Sequence, residues 1–333
     1  MTAEARSPQA PVRRSGATLT AHWQTWRPYT TCYPALLGMA GALVAGGRTP
    51  EGLVVAALAP TLGWLAGHYL GDYFDRHLDA IAKPQRPIPS GRLSPVAALV
   101  CGVGCAVASL VATTVVNWRT VPVVGLAMGG IVAYSTLFKR MGLAGNLNRG
   151  ALSALALAIG AMTAAPWPPW ALLPAAVGFL LHDTASNLIG TVRDVEGDRA
   201  GGYRSVPVRH GVAVAVRLAA VLWASGTAAV GLGALTAGRP AAQLGMLAVA
   251  AVIGAAALSA VRPGVATARR ALRSHELLVA ERLVLAASVV AGAAGVGAAL
   301  AILLPALAFS ILTQARMRAR HEFPAPAGGE DTP

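Results

Sequence analysis

Apolar residues run along this chain in long blocks. From Tyr29 to Leu312 these blocks are rich in Ala, Val, Leu and Gly. Several reach or approach the roughly 20 residues that carry a helix across a bilayer core. Nine spans are expected, at about 29–47, 52–71, 95–115, 121–138, 147–165, 169–190, 211–235, 241–261 and 284–312. The last is long enough to be tilted or broken. Gly and Pro within these runs do not argue against helices, because membrane helices tolerate both. The expected fold class is all-α, a polytopic integral membrane protein.

Composition agrees. Only 12% of the 333 residues are charged and 55% are hydrophobic, whereas soluble domains carry about twice that share of charge. Residues 1–18 are polar and basic and lack the apolar stretch of a cleaved signal. They are expected to form a disordered tail, followed by a membrane domain over 19–315 and a polar C-terminal tail over 316–333. Cys101 and Cys105 lie one helical turn apart in an apolar run with no His or acid beside them. They are expected to pack between helices.

The net charge of +13 changes the picture through its distribution. With nine spans, 21 of the 27 Lys and Arg fall on one side. The other side holds Arg48, Arg119, Arg239, Arg316, Arg318 and Arg320. The positive-inside rule places the basic side in the cytoplasm, with anionic lipid and not nucleic acid as its partner. Arg269, Arg270 and Arg273 read as a basic connector over 262–275. The three C-terminal arginines conflict with an odd number of spans, and an even number removes the conflict.

The acids point to chemistry. Asp72, Asp75 and Asp79 form one cluster, and Asp183, Asp194, Glu196 and Asp198 a second. Each closes an apolar run on the basic side, where carboxylates at membrane depth are costly unless they face a cavity or a partner. Asp75 and Asp79 are four residues apart and share a helix face, and Asp194 and Asp198 repeat the interval. Asp183, Asn187 and Asp194 stay near one face as well. Paired carboxylates suit Mg²⁺, which is held by a few oxygens together with substrate phosphates. After Asp79 come Lys83 and Arg86, and after Asp198 come Arg199 and Arg204. This is a weak internal repeat, and such duplication often puts a site at the repeat interface. Basic residues beside a metal-bound diphosphate would neutralise its remaining charge. The apolar spans would accommodate the attached hydrocarbon.

Three blocks carry a family resemblance: GDYFDRHLD with KPQRPIPSGRLS, YSTLFKRMGLAGN at 134–146, and DVEGDRAGGYRSVPVRHG at 194–211. They resemble the motifs of the UbiA superfamily of intramembrane prenyltransferases. Their loop stretches look more like chlorophyll synthases and archaeal ether-lipid geranylgeranyl transferases than like the 4-hydroxybenzoate enzymes. The resemblance implies a nine-helix horseshoe around a central cavity, with two Mg²⁺ ions holding a prenyl diphosphate. Position by position, it gives Asp72, Asp75, Asp79, Asp194 and Asp198 metal-binding roles. It gives diphosphate contacts to Lys139, Arg86 and Arg204, joined by Lys83 and Tyr134 of the same blocks. The family's leading Asn is Gly71 here, which cannot coordinate. Asp72 or His68 is the candidate replacement, and His68 is otherwise a packing histidine. Asp183 is a candidate to orient or deprotonate an acceptor, or else a polar residue satisfied between helices. Asn187 would position the acceptor or extend the metal shell.

The expected function is Mg²⁺-dependent transfer of a prenyl group to a lipophilic or aromatic acceptor. A terpene cyclase of the same fold needs no acceptor. A transporter or lipid-binding protein would use the acids for cation coupling and release no pyrophosphate.

Overall fold

The computed structural model of the chain describes residues 15–323, with side chains from residue 18 on. The expected tails therefore lie mainly outside the described residues. The described chain is helical: α1 (Ser15–Trp26), α2 (Cys32–Val44), α3 (Pro50–Ala82), α4 (Pro95–Val116), α5 (Thr120–Thr136), α6 (Leu143–Ala161), α7 (Leu173–Arg193), the short α8 (Val195–Ala200) and α9 (Val206–His210), α10 (Val212–Leu232), α11 (Pro240–Ser259), α12 (Ala268–Ala294) and α13 (Val296–Glu322). By length and composition α3, α4, α7 and α10–α13 can cross a membrane, while α2 and α5 are shorter apolar helices. Val96, Val100, Val103, Val107, Val111 and Val115 form one exposed stripe along α4. Such an apolar face, together with these helices, marks an integral membrane protein.

The nine-span layout needs correction. The last expected span, 284–312, is two helices that meet at Gly295, whose φ of 97° reverses the chain. Much of the expected connector, 268–275, is already the first two turns of α12. Helix α13 also continues through 316–322, beyond the expected start of the tail. Its return brings Arg316, Arg318 and Arg320 to the end of the bundle that holds the acids. At the opposite end, Arg48 and Arg239 donate to the carbonyl of Ala293, and Asn117 donates to Met162, Ala165 and Pro166 carbonyls. These side chains satisfy carbonyls that helix ends leave without partners.

Helix α2 packs against α3, α6 and α12 at the centre. Its Tyr33 and Leu37 share one buried cluster with Leu157, Phe179 and Leu285. A Cβ on Gly41 would lie 2.0 Å from the carbonyl oxygen of Leu157, so glycine is what lets α2 meet the α6 backbone.

Helix α3 positions the site. Thr49 caps its first turn by accepting from the Gly52 amide, and Pro50 occupies a first-turn position where no amide hydrogen is needed. Its 33 residues extend about 50 Å, against a hydrocarbon core of about 30 Å. The apolar first two thirds are enough to span. The last third carries the acids past the apolar zone.

Candidate active site

The acid-bearing end encloses a cavity of about 360 Å³. Gly71, Asp72, Asp75, Leu78 and Asp79 of α3 all line it, as the i, i+3, i+4 geometry of one helix face requires. Across from them, α7 ends at Arg193, and Asp194 stands between α7 and α8. The amide of Asp198 donates to the carbonyl of Asp194 at 2.9 Å, so the four-residue interval closes one turn. Both carboxylates line the same cavity as the α3 acids.

The acids face cations. Arg27 Nη2 lies 2.5 Å from Asp72 Oδ1 and Lys139 Nζ lies 2.8 Å from Asp75 Oδ2. Arg86 Nη1 donates to both oxygens of Asp79, at 2.9 and 2.8 Å. Lys83, from the loop after α3, reaches Asp194 Oδ1 at 3.0 Å. That contact joins the two acidic segments. Arg193 donates to both Asp194 oxygens, at 2.9 and 2.6 Å. Glu322, in the last turn of α13, completes the group. Its carboxylate lies 2.7 Å from Lys83, 3.0 Å from Arg193 and 3.5 Å from Arg86.

This environment sets the charges outside the spans. Burial works against ionised Asp194, but Arg193 and Lys83 outweigh it and hold the carboxyl well below its usual range. Burial pushes Asp198 upward. Burial also lowers Lys83, with Asp194 and Glu322 acting against it. For Lys139 burial is overcome by Asp75, and the ammonium is held above its ordinary value.

The donor set fits a hard divalent cation. Asp72 Oδ2 and Asp75 Oδ1 are buried and have no hydrogen-bond partner among the described residues. No three Asp, Glu, His or Cys side chains among the described residues converge on a closed cage. An ion that takes one or two carboxylates and completes its shell with water and phosphate oxygens needs none.

Of the residues expected from the sequence, Asp72, Asp75, Asp79, Asp194, Asp198, Lys83, Arg86, Lys139, Tyr134, His68 and Asn187 all line this cavity. His68 Nδ1 lies 3.2 Å from the carbonyl oxygen of Thr25 and its ring stacks at an angle on Trp64. That is the environment of a packing histidine. Arg204 is corrected: it is exposed and does not line the cavity, whereas its neighbour Ser205 does. Asp183 is set apart. It lines a smaller recess with Arg149 and Arg282, and its Oδ2 accepts from Tyr33 at 2.8 Å and from Ser153. Sequence reasoning missed Arg27, Arg149, Arg193, Arg282 and Glu322. The adjacent Glu281 and Arg282 sit in the middle of α12, and two charges so close to an apolar run were the available signal.

Comparison with known proteins gives the same frame. The model of the UbiA prenyltransferase family matches residues 32–278, which leaves α13 and Glu322 outside the match. The digeranylgeranylglyceryl phosphate synthase of Methanopyrus kandleri is 32% identical over 205 residues, 61% of this chain and 74% of the relative. The synthase of the same name from Natronomonas pharaonis is 34% identical over 188 residues, 55% of this chain and 66% of the relative. Among solved structures, a UbiA homolog from Archaeoglobus fulgidus bound to DMAPP and Mg²⁺ superposes with a TM-score of 0.63 at 17% identity, over 79% of this chain and 98% of its own. A structure described as bearing on digeranylgeranylglyceryl phosphate synthase in membranes also gives 0.63, at 18% identity, over 83% of this chain and 98% of its own. The family model covers most of the chain, and the fold is shared. This protein belongs to the UbiA prenyltransferase family.

Proposed function

We propose that this protein transfers a prenyl group from a prenyl diphosphate to the hydroxyl of a lipid acceptor of the glyceryl phosphate type, using Mg²⁺. The observation that carries this reading is the convergence of Asp72, Asp75 and Asp79 with Asp194 and Asp198 on one cavity that also holds Lys83, Arg86, Lys139 and Arg193. The names of the relatives support the acceptor class.

The allylic carbon–oxygen bond breaks, and the diphosphate leaves with the electron pair. The acceptor's hydroxyl oxygen attacks the resulting cationic carbon, forms the ether bond and releases its proton to water. Mg²⁺, when bound, neutralises charge building on the leaving oxygens. Two ions are proposed, one at each acidic segment. Arg86, Lys139, Lys83 and Arg193 hold the diphosphate and stabilise the charge it gains. They are already fixed by Asp79, Asp75, Asp194 and Glu322, so little reorganisation accompanies the reaction. Arg27 orients Asp72. The apolar bundle keeps water from the cationic carbon. Asp183 is assigned a positioning role, because Oδ2 is engaged by Tyr33 and Ser153.

We further propose that the site faces the cytoplasm. Among the described residues only Arg48, Arg119 and Arg239 of the Lys and Arg lie at the opposite end, which is the asymmetry the positive-inside rule reads.

The test is a product assay in liposomes with geranylgeranyl diphosphate and Mg²⁺, with and without a glyceryl phosphate lipid or an aromatic acceptor. Prenylated acceptor and stoichiometric pyrophosphate are expected. Cyclic hydrocarbon formed without acceptor would replace this reading by a cyclase. No pyrophosphate under any condition would favour a transporter.

A further inference from the structure

The main cavity has a side recess of about 60 Å³ toward the interior of the bundle, lined in part by Trp64, Arg149, Asp183, Asn187 and Arg282. Trp64, Arg149, Asn187 and Arg282 also line the main cavity, so the recess opens from it. It holds an excess of positive charge. Arg282 is 5% exposed, its Nε has no partner, and its closest carboxylate oxygen, Asp183 Oδ1, is 3.9 Å away. Arg149 makes no hydrogen bond or ion pair with any described residue. Its guanidinium lies 5.1 Å from the Trp64 ring centroid and 5.5 Å from that of Tyr134. Arg282 lies 4.3 Å from the Tyr33 ring and 5.6 Å from that same Trp64. The aromatic faces hold both guanidinium planes without supplying an anion. Asn187 Nδ2 and Ser186 Oγ are buried and unpartnered in the same recess.

These cations are less compensated than those at the diphosphate site: Arg149 has no ion pair among the described residues, and Arg282 has only the long 3.9 Å approach to Asp183. Lys83, Arg86, Lys139 and Arg193 each lie within ion-pair distance of Asp75, Asp79, Asp194 or Glu322. Arg149 and Arg282 extend from α6 and α12 inside the bundle, where an uncompensated charge is costly. The one carboxylate beside them, Asp183, has one oxygen engaged by Tyr33 and Ser153. Two guanidinium forks with amide and hydroxyl donors fit an oxyanion with several acceptor oxygens, and a phosphate monoester matches them better than a carboxylate does.

We infer that this recess binds the phosphate of the acceptor, with Arg149 and Arg282 as its principal ligands, and so selects a lipid monophosphate over neutral acceptors. The inference rests on the proposed transferase reaction. In a glyceryl phosphate the free hydroxyl is close to the phosphate ester. Anchoring the phosphate therefore fixes the nucleophile beside the cavity in which the prenyl diphosphate is held. Each half-reaction has its own cations, one set for the leaving diphosphate and one for the incoming acceptor.

The test uses the full chain in liposomes with geranylgeranyl diphosphate and Mg²⁺. The acceptor is geranylgeranylglyceryl phosphate or the same lipid without its phosphate. Arg149→Met is expected to raise KM for the phosphorylated acceptor by about 30-fold, the scale of one charged hydrogen-bond pair. KM for geranylgeranyl diphosphate should move less than about 3-fold, and Arg149→Lys should recover part of the loss. The dephosphorylated lipid should be used equally poorly by wild type and Arg149→Met. Binding is read separately by native mass spectrometry in EDTA without prenyl diphosphate. Wild type should retain the lipid monophosphate, and both Arg149→Met and Arg282→Met should not, with thermal melting used to check that each is folded. Equal KM changes for both substrates would overturn the inference, as would equal use or binding of the dephosphorylated lipid by wild type. Failure of the transferase reading looks different: wild type would release no Mg²⁺-dependent pyrophosphate with any acceptor.

Discussion

At the scale of single residues, Asp75, Asp79 and Asp194 of the proposed site each stand against a cation that holds them in place. Asp75 offers one oxygen to Lys139 and leaves Oδ1 unpartnered. Asp194 is bracketed by Lys83 and Arg193. Replacing either Asp by Ala is expected to lower turnover by about 100-fold or more, the scale for losing one preorganised electrostatic element. Gly71 makes a second prediction. It lines the cavity, and a Cβ there would meet only Ser135 Oγ, at 4.0 Å. Gly71→Asn therefore has room for its amide and should lower the Mg²⁺ concentration giving half-maximal rate. An unchanged Mg²⁺ titration would show that the position does not reach the metal. The acids were legible because their spacing is local: i and i+4 put a pair on one face whatever the rest of the chain does. Arg27, Arg149 and Glu322 were not, because they meet the site only through tertiary packing. Arg27 and Asp72 are 45 residues apart, and Lys83 and Glu322 are 239 apart.

At the scale of elements, α13 lies wholly outside the family match and still supplies a carboxylate to the charged cluster. Glu322 is within ion-pair distance of Lys83, Arg86 and Arg193. Glu322→Gln leaves three buried cations short of one anion, a change on the order of 3 kcal/mol when a buried ionic partner is removed. Its melting temperature in detergent is expected to fall, and Mg²⁺ with pyrophosphate should restore more of it than it adds to wild type. Equal stabilisation of both forms would mean these cations do not receive diphosphate. Gly41 tests the helix contact: Gly41→Val places carbon where the Leu157 carbonyl now sits and should cost about 2 kcal/mol or more in stability. The long apolar run that hides the α12–α13 turn was not readable as two helices. Gly is frequent in membrane helices, so Gly295 does not by itself signal a reversal. Glu281 and Arg282, within α12, fall just before the expected ninth span and outside the expected connector.

At the scale of the whole molecule, the return of α13 puts both ends of the described chain at the acid-bearing end. The turn at Gly295 and the return of α13 remove the conflict that the C-terminal arginines posed for nine spans. A sealed-vesicle labelling experiment checks the orientation. In a protein freed of Cys32, Cys101 and Cys105, Ser90→Cys should react with an impermeant maleimide only when the cytoplasmic face is outward. Thr49→Cys, at the opposite end, should show the reverse. Apolar run lengths were enough to read the helical class and the approximate spans. The interior of the bundle was not readable from them, because which helix faces meet is decided by contacts such as Gly41 on α6 and not by hydropathy.

The most direct measurement of the central claim is Mg²⁺-dependent pyrophosphate release from geranylgeranyl diphosphate with acceptor present, compared among wild type, Asp75→Ala and Asp194→Ala. One acidic segment alone should not suffice. Both variants are therefore expected to lose release to near background, and EDTA should abolish release in wild type and have it restored by added Mg²⁺. Near-normal release by either variant, or release that persists in EDTA, would contradict a site in which the two acidic segments act together on one metal-bound diphosphate.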